Sequence, residues 1–193
     1  MKNFMYILII LLMILSACST QTAKAQTSNK QNLINNSFNG EKLLSNKEFV
    51  LSVNRTCDNT ESKLCTVGKI KKNYFSKFSN LNNDEIIISK LKDNIVLKLK
   101  KEKRKKNQNE FSMVIKLISY KNNKKVDSII CYESKNDPNY STASEKLYYL
   151  KDYYLWTLIF IYDLESTTAF DWNKYKINPR TGKFELIDNL KLE

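Results

Sequence analysis

Histidine is absent from the 193 residues, glycine occurs three times and proline twice. The first absence removes Ser-His-Asp and Cys-His nucleophile activation, histidine-based zinc sites and the commonest general base near neutral pH. Chemistry by carboxylates or lysine stays open, but no pattern in the chain points to it. Gly40, Gly68 and Gly182 stand singly, so no glycine-rich phosphate loop can be built from them. No cofactor and no metal are expected. The expectation is a protein that is not an enzyme.

What is present begins with an address. Lys2 makes a positive start, and residues 5–15 carry no charge and no helix breaker. Eleven residues suit the apolar core of a signal peptide and fall short of the ~20 needed to span the hydrocarbon of a bilayer. The run ends in Leu15-Ser16-Ala17-Cys18. In this order of residues the chain resembles bacterial lipoproteins, whose lipobox reads Leu, small, small, Cys. The resemblance covers residues 1–18. It implies cleavage before Cys18 and acylation of that cysteine. Several acyl chains hold a protein stably on a membrane where one would be marginal. Two other readings stay open. Ala23-Lys24-Ala25 would serve ordinary secretory cleavage and release a soluble protein, and an uncleaved anchor is the remaining one. Ser19 is not the aspartate that the lipoprotein pattern links to inner-membrane retention, so the resemblance favours the outer membrane if the envelope has two. The expected location is the cell membrane or outer membrane, facing the periplasm or exterior.

Removing residues 1–17 leaves 176, enough for one domain with a real core. The chain carries 32 Lys and Arg against 20 Asp and Glu, and losing Lys2 takes the net charge from +12 to about +11. Abundant lysine and asparagine also fit an AT-rich genome, which weakens a functional reading of the charge. With Cys18 lipidated, Cys57, Cys65 and Cys131 remain. In an oxidising compartment Cys57 and Cys65 are the candidate disulfide, closing a short loop. Cys131, in the apolar run Ile129-Ile130-Cys131-Tyr132, reads as a buried free thiol, with pairing to Cys57 or Cys65 as the alternative.

The expected organisation is a signal peptide over 1–17, a lipidated cysteine and flexible tether over 18–47, and an antiparallel β-rich domain over 48–193. Residues 19–45 are rich in Gln, Asn, Ser, Thr and Lys and cannot bury enough apolar surface to order themselves. As a coil they reach about 30 Å, extended at most about 90 Å. Beyond them the dominant period is two: Phe49, Leu51 and Val53; Ile95, Leu97 and Leu99; Phe111, Met113, Ile115 and Leu117. Lys121-Asn122-Asn123-Lys124 is a turn, and the apolar run 126–132 follows it. Residues 84–91 are ambiguous. Residues 147–150 and 153–162 are apolar and aromatic without alternation, which fits a strand covered on both faces or one with a face left for a partner. The apolar parity slips between Phe170/Trp172 and Tyr175/Ile177, predicting a bulge near Asn173-Lys174. Asn178-Pro179-Arg180-Thr181-Gly182 then predicts a hairpin turn. Weak helical turns are expected at 142–151 and 31–44. The fold class is mainly β, a single antiparallel sheet or small sandwich with little helix.

Two constellations are candidates for function. Lys98, Lys100, Lys101, Lys103, Arg104, Lys105 and Lys106 make a basic patch placed where a strand runs into a loop. It would meet anionic lipid, polymer or an acidic protein, or it is a solvated loop that keeps a strand edge soluble. No nucleic-acid partner is expected, since export removes the partner and no recognition motif accompanies the charge. The aromatic set is Tyr148, Tyr149, Tyr153, Tyr154, Trp156, Phe160, Tyr162, Phe170, Trp172 and Tyr175. These fill a core or form an interface, with Tyr148, Tyr153 and Tyr154 the tyrosines expected to be exposed. Asp163, Glu165 and Asp171 flank them; two acids near one another could do acid–base work, though a loop between strands is ordinarily acidic or polar. The functional expectation is a membrane-anchored, non-catalytic binding module with a protein partner in the envelope, for instance an immunity or inhibitor protein. The alternative is a structural or assembly lipoprotein touching anionic lipid or polymer; an enzyme using carboxylates stands behind both. Oligomeric state is left open.

Overall fold

Short apolar runs parted by Asn- and Asp-containing turns are what an antiparallel meander requires, and the computed structural model of the chain is one. It describes residues 36–57, 64–70, 73–82, 84–105, 111–137 and 142–192. Eight strands make a single sheet in chain order: β1 (Ile86–Lys90), β2 (Ile95–Lys105), β3 (Phe111–Lys121), β4 (Lys124–Asp137), β5 (Thr142–Lys151), β6 (Tyr154–Tyr162), β7 (Thr167–Ile177) and β8 (Phe184–Lys191). Every neighbouring pair is antiparallel. With glycine so scarce, the tight turns rely on Asn and Asp, the other residues that tolerate left-handed backbone. Asp93, Asn94, Asn122, Asn123 and Asp152 all have φ between 50° and 62°.

The Asn178–Gly182 turn forms as expected: the Gly182 amide donates to the Asn178 carbonyl at 2.7 Å, and Gly182 has φ +80°. A register shift lies between Lys174 and Tyr175 where β7 pairs with β8, one residue from the predicted position. The sheet curls, because this turn lies against β3 and β4. The Ser119 hydroxyl donates to the Gly182 carbonyl at 2.6 Å, and the Phe184 amide to Asp127 Oδ2 at 3.0 Å.

Strand β6 is the centre of the core. Leu155, Trp156, Thr157 and Leu158 are buried in succession, so both of its faces are covered. A helix, α1 (Lys47–Thr56), covers β7. Its Asn54 side chain takes both backbone groups of Ala169, accepting from the amide at 2.7 Å and donating to the carbonyl at 3.0 Å. This corrects the strand expected from Phe49, Leu51 and Val53. The buried residues are Phe49, Val50 and Val53, a helical stripe, and Asn46 caps the first turn by accepting from Glu48 and Phe49. Five residues of alternation do not separate the two periods. A second helix, α2 (Tyr74–Ser79), places Phe78 between Tyr132 and Tyr148, at ring distances of 4.6 and 6.2 Å.

The domain begins earlier than the tether expected over 18–47 allows, since residues 36–47 belong to it. Phe38 and Leu44 are buried, and 3-10 turns at Asn36–Phe38 and Lys42–Ser45 replace the weak helix expected there. Gly40 forms a bridge with Tyr149, flanked by Glu41 amide to Tyr148 carbonyl and Leu150 amide to Asn39 carbonyl bonds, both 2.7 Å. This segment is polar on average, yet two large apolar side chains and one glycine are enough to seat it. The helical turn expected at 142–151 is strand β5, whose Leu147, Tyr148 and Leu150 are all buried.

Candidate functional site

Antiparallel register sets directly opposed residues side by side on one face. Here it lines up Tyr149 of β5, Trp156 of β6, Lys174 of β7 and Asp188 of β8. The Tyr149 ring stacks on Trp156 at 5.6 Å, and Tyr154, two residues along β6, lies 5.8 Å from the same ring. Lys174 Nζ sits 5.0 Å from the Tyr154 ring and 5.5 Å from Trp156. Asp188 closes the row through an ion pair of 2.8 Å with Lys47 at the start of α1, and Lys47 lies 5.0 Å over the Trp172 ring. Aromatic pairs of this kind contribute about 0.5–1.5 kcal/mol beyond their buried area, and exposed cation–π contacts about 0.5–1. The row is therefore held in place by its own contacts.

At the Tyr149 end the row meets a cleft of about 300 Å³, lined by Asn39, Ser89, Lys90, Leu91, Tyr149, Lys151 and Asp152 over a floor of Ile88 and Leu150. Strand β1 forms one wall and the β5–β6 turn the other. The seated N-terminal segment supplies Asn39. The cleft therefore depends on Gly40, whose bridge to Tyr149 brings that segment to the sheet.

A second polar group is half-buried elsewhere in the sheet. Glu145 of β5 accepts from the Tyr132 hydroxyl at 2.8 Å and the Tyr162 hydroxyl at 3.5 Å. Tyr74 of α2 donates to Glu41 at 3.4 Å. Burial pushes the Glu145 carboxyl above the usual carboxylate range, against the two phenol bonds, which favour its charged form. Burial and then the Glu145 charge push both phenols well above theirs. A carboxyl raised on folding binds its proton more tightly folded than unfolded. Its stabilising effect is complete below the unfolded pKa of about 4.3 and is lost as pH rises through the folded value. Glu145→Gln is expected to remove that part of the decline in urea midpoint between pH 4 and 7. Identical slopes in the two proteins would refute the placement of Glu145.

Cys18 lies outside the described residues. Cys57 and Cys65 are joined in a disulfide, linking the end of α1 to a 3-10 turn at Thr66–Lys69. Cys131 is a buried free thiol; burial pushes it up to about 12, which leaves it unreactive at neutral pH. The basic patch lies on a strand, since β2 runs to Lys105 and pairs there with Phe111. Alternation sends Lys98 and Lys100 to one face and Lys101 to the other. Lys98 pairs with Glu85 at 3.1 Å, and Lys101 donates to the Ser79 and Leu81 carbonyls at 2.7 and 3.3 Å. The side chains of Lys103, Arg104 and Lys105, and Lys106 entirely, lie outside the described residues.

Among the aromatics, Tyr148 is only 1% exposed, against the expectation that it faces solvent; its hydroxyl donates to the Phe38 carbonyl inside the core. Tyr153 and Tyr154 are half-buried. Asp163 is engaged in its own loop, accepting from the amides of Glu165 and Ser166 and the Ser166 hydroxyl, which hold it below the usual carboxylate range. Asp171 accepts from Asn173 at 2.9 Å. Among the described residues no three His, Cys, Asp or Glu side chains gather as a metal-binding group, and no helix is long and apolar enough to cross a membrane. Sequence reasoning missed Glu145 and Lys174, because their partners are cross-strand and no local pattern marks either. No protein-family model, curated protein or solved structure matches the chain.

Proposed function

We propose that the chain is a lipid-anchored lipoprotein of the bacterial envelope whose domain is a non-catalytic binding module. The observation that carries the binding reading is the preorganised row Tyr149-Trp156-Lys174, ending at a polar cleft on a rigid sheet. The acids that would be asked to do chemistry support it from the other side, since Asp163 and Asp171 are already engaged locally. The lipobox at Cys18 supports the location, and a disulfide between Cys57 and Cys65 suits an oxidising compartment. A net charge near +11 favours an acidic partner over a basic one, so among immunity or inhibitor roles an acidic toxin fits better than a basic lysozyme.

The test is retention of envelope components by the full-length protein in mild detergent, compared with Tyr149→Ala. Saturable retention that Tyr149→Ala weakens is expected. Retention of nothing, together with turnover of an envelope substrate that Asp163→Asn or Asp171→Asn abolishes, would replace binding with catalysis.

A further inference from the structure

We propose that one end of the sheet, formed by the turns β1–β2, β3–β4, β5–β6 and β7–β8, docks on anionic phospholipid and so sets how the domain stands on its membrane. The inference rests on the lipid-anchored reading for the membrane and names the surface that meets it.

In a meander these four turns share an end, and here they touch one another. The Asn122 amide of the β3–β4 turn donates to the Asn94 carbonyl of the β1–β2 turn at 3.2 Å. Lys121, at the end of β3, donates to the Pro179 carbonyl of the β7–β8 turn at 2.9 Å. The Ile177 amide, just before that turn, donates to the Tyr153 carbonyl of the β5–β6 turn at 2.7 Å. Lys151 and Asp152 share the cleft with Leu91, which closes a ring of turns.

The ring is basic. Lys92 stands at the first turn, Lys124 and Lys125 at the second, Lys151 at the third, and Arg180 and Lys183 at the fourth. All six are exposed, and none of their side chains has an ion pair among the described residues. Within the turns only Asp93 and Asp152 oppose them. Behind the ring, Asp127 and Glu185 are balanced in number by Lys121 and Lys176.

None of the exposed large apolar side chains lies in these turns. A protein interface draws its energy from buried aromatic and apolar anchors, which this end lacks. A headgroup layer needs none, because its anions meet charge wherever it is displayed. Each lysine or arginine near such a surface strengthens binding about fivefold.

The chain also enters the domain at this end. Asn39 lines the cleft with Leu91 and Lys151, and its carbonyl accepts from the Leu150 amide. Asn36 lies eighteen positions after Cys18, and that many residues reach at most about 60 Å. A lipid on Cys18 therefore keeps the basic ring close to the bilayer. The other basic run ends with β2 at Lys105, at the opposite end of the strands.

The experiment mixes the full chain, in mild detergent, with preformed vesicles and then removes the detergent. One set of vesicles is phosphatidylcholine; the other is equal parts phosphatidylcholine and phosphatidylglycerol. Co-flotation reports attachment. Brief acetylation of amines, read by mass spectrometry, reports the accessibility of each lysine.

Phosphatidylglycerol is expected to slow acetylation of Lys92, Lys124, Lys125, Lys151 and Lys183 at least about threefold. Lys135, exposed near the other end of β4, should react alike on both vesicles. Salt at about 1 M, where the Debye length is about 3 Å, should abolish the difference. Lys124→Glu combined with Lys125→Glu should remove the protection from Lys92, Lys151 and Lys183.

A chain that floats with both vesicles but shows equal acetylation on them overturns the inference and leaves the anchor standing. Slowing of Lys135 as great as that of the turn lysines would show diffuse attraction to a basic domain and overturn it too. A chain that floats only with phosphatidylglycerol, its turn lysines protected, sinks the anchor and upholds the inference.

Discussion

Gly40→Ala is expected to destabilise the domain by roughly 2–4 kcal/mol, far more than alanine at either other glycine. Gly40 has φ +84°, and a Cβ there would lie 1.9 Å from the Tyr148 carbonyl oxygen, 2.7 Å from its carbon and 3.1 Å from the Tyr149 Cα. All three atoms are backbone, so no side chain can rotate out of the way. Relief requires the segment to leave β5, breaking the bonds from Glu41 to Tyr148 and from Leu150 to Asn39. The other glycines calibrate the effect. Gly182 has φ +80°, but a Cβ there meets nothing nearer than 3.6 Å, so only backbone strain of about 1 kcal/mol is expected. At Gly68 a Cβ meets nothing within 4 Å, and alanine should fall within about 0.5 kcal/mol of wild type. Urea denaturation of the three variants should give the order Gly68, Gly182, Gly40. Gly40→Ala matching Gly68→Ala would mean that residues 36–41 do not pack on β5. The cleft would then lose its Asn39 wall.

The second large effect is at Trp172. Its ring is 1% exposed, faces Leu158 on β6 and Leu190 on β8, and donates from Nε1 to the Leu44 carbonyl at 2.7 Å. Trp172→Ala removes the largest buried side chain and is expected to cost about 3–5 kcal/mol, a large share of the 5–15 typical of a whole domain. Trp172→Phe separates the two contributions. It keeps most of the apolar volume but leaves the Leu44 carbonyl, on a residue that is 0% exposed, without its donor, costing about 1–3 kcal/mol. Thermal or urea unfolding should rank wild type above Phe above Ala. A phenylalanine variant as stable as wild type would show that the indole bond does not hold the N-terminal segment to β7.

Both predictions concern contacts between the sheet and residues 38–44, the part of the domain least legible in the sequence. Hairpins were legible because their information is local: Asn122-Asn123 and Asn178 to Gly182 specify turns by residue type, and the unalternating run of β6 announces burial on both faces. Phe38, Gly40 and Leu44 are scattered in a polar stretch, and each acts through a partner more than a hundred positions away: Tyr148, Tyr149 and Trp172. Composition averages over such residues.

The same reason hides Glu145, which lies between Ser144 and Lys146 while its two phenols come from β4 and β6. The basic run shows the converse. Its density suggested one patch, but a strand alternates its side chains, and Lys98 and Lys101 end on different partners. The aromatic row was visible as a composition of tyrosines and tryptophan; its order required the register of three strand pairs. Lys174 became part of it only through that register.

The proposed export would give the disulfide its oxidising surroundings and limit the partners to those of the envelope. Metabolic labelling with a radioactive fatty acid, with fractionation of membranes from soluble material, compares wild type with Cys18→Ala directly. Label on the wild-type protein in the membrane fraction, and neither label nor membrane retention in Cys18→Ala, is the predicted result. Equal labelling of both proteins, or a wild-type protein recovered unlabelled in the soluble fraction, would contradict it.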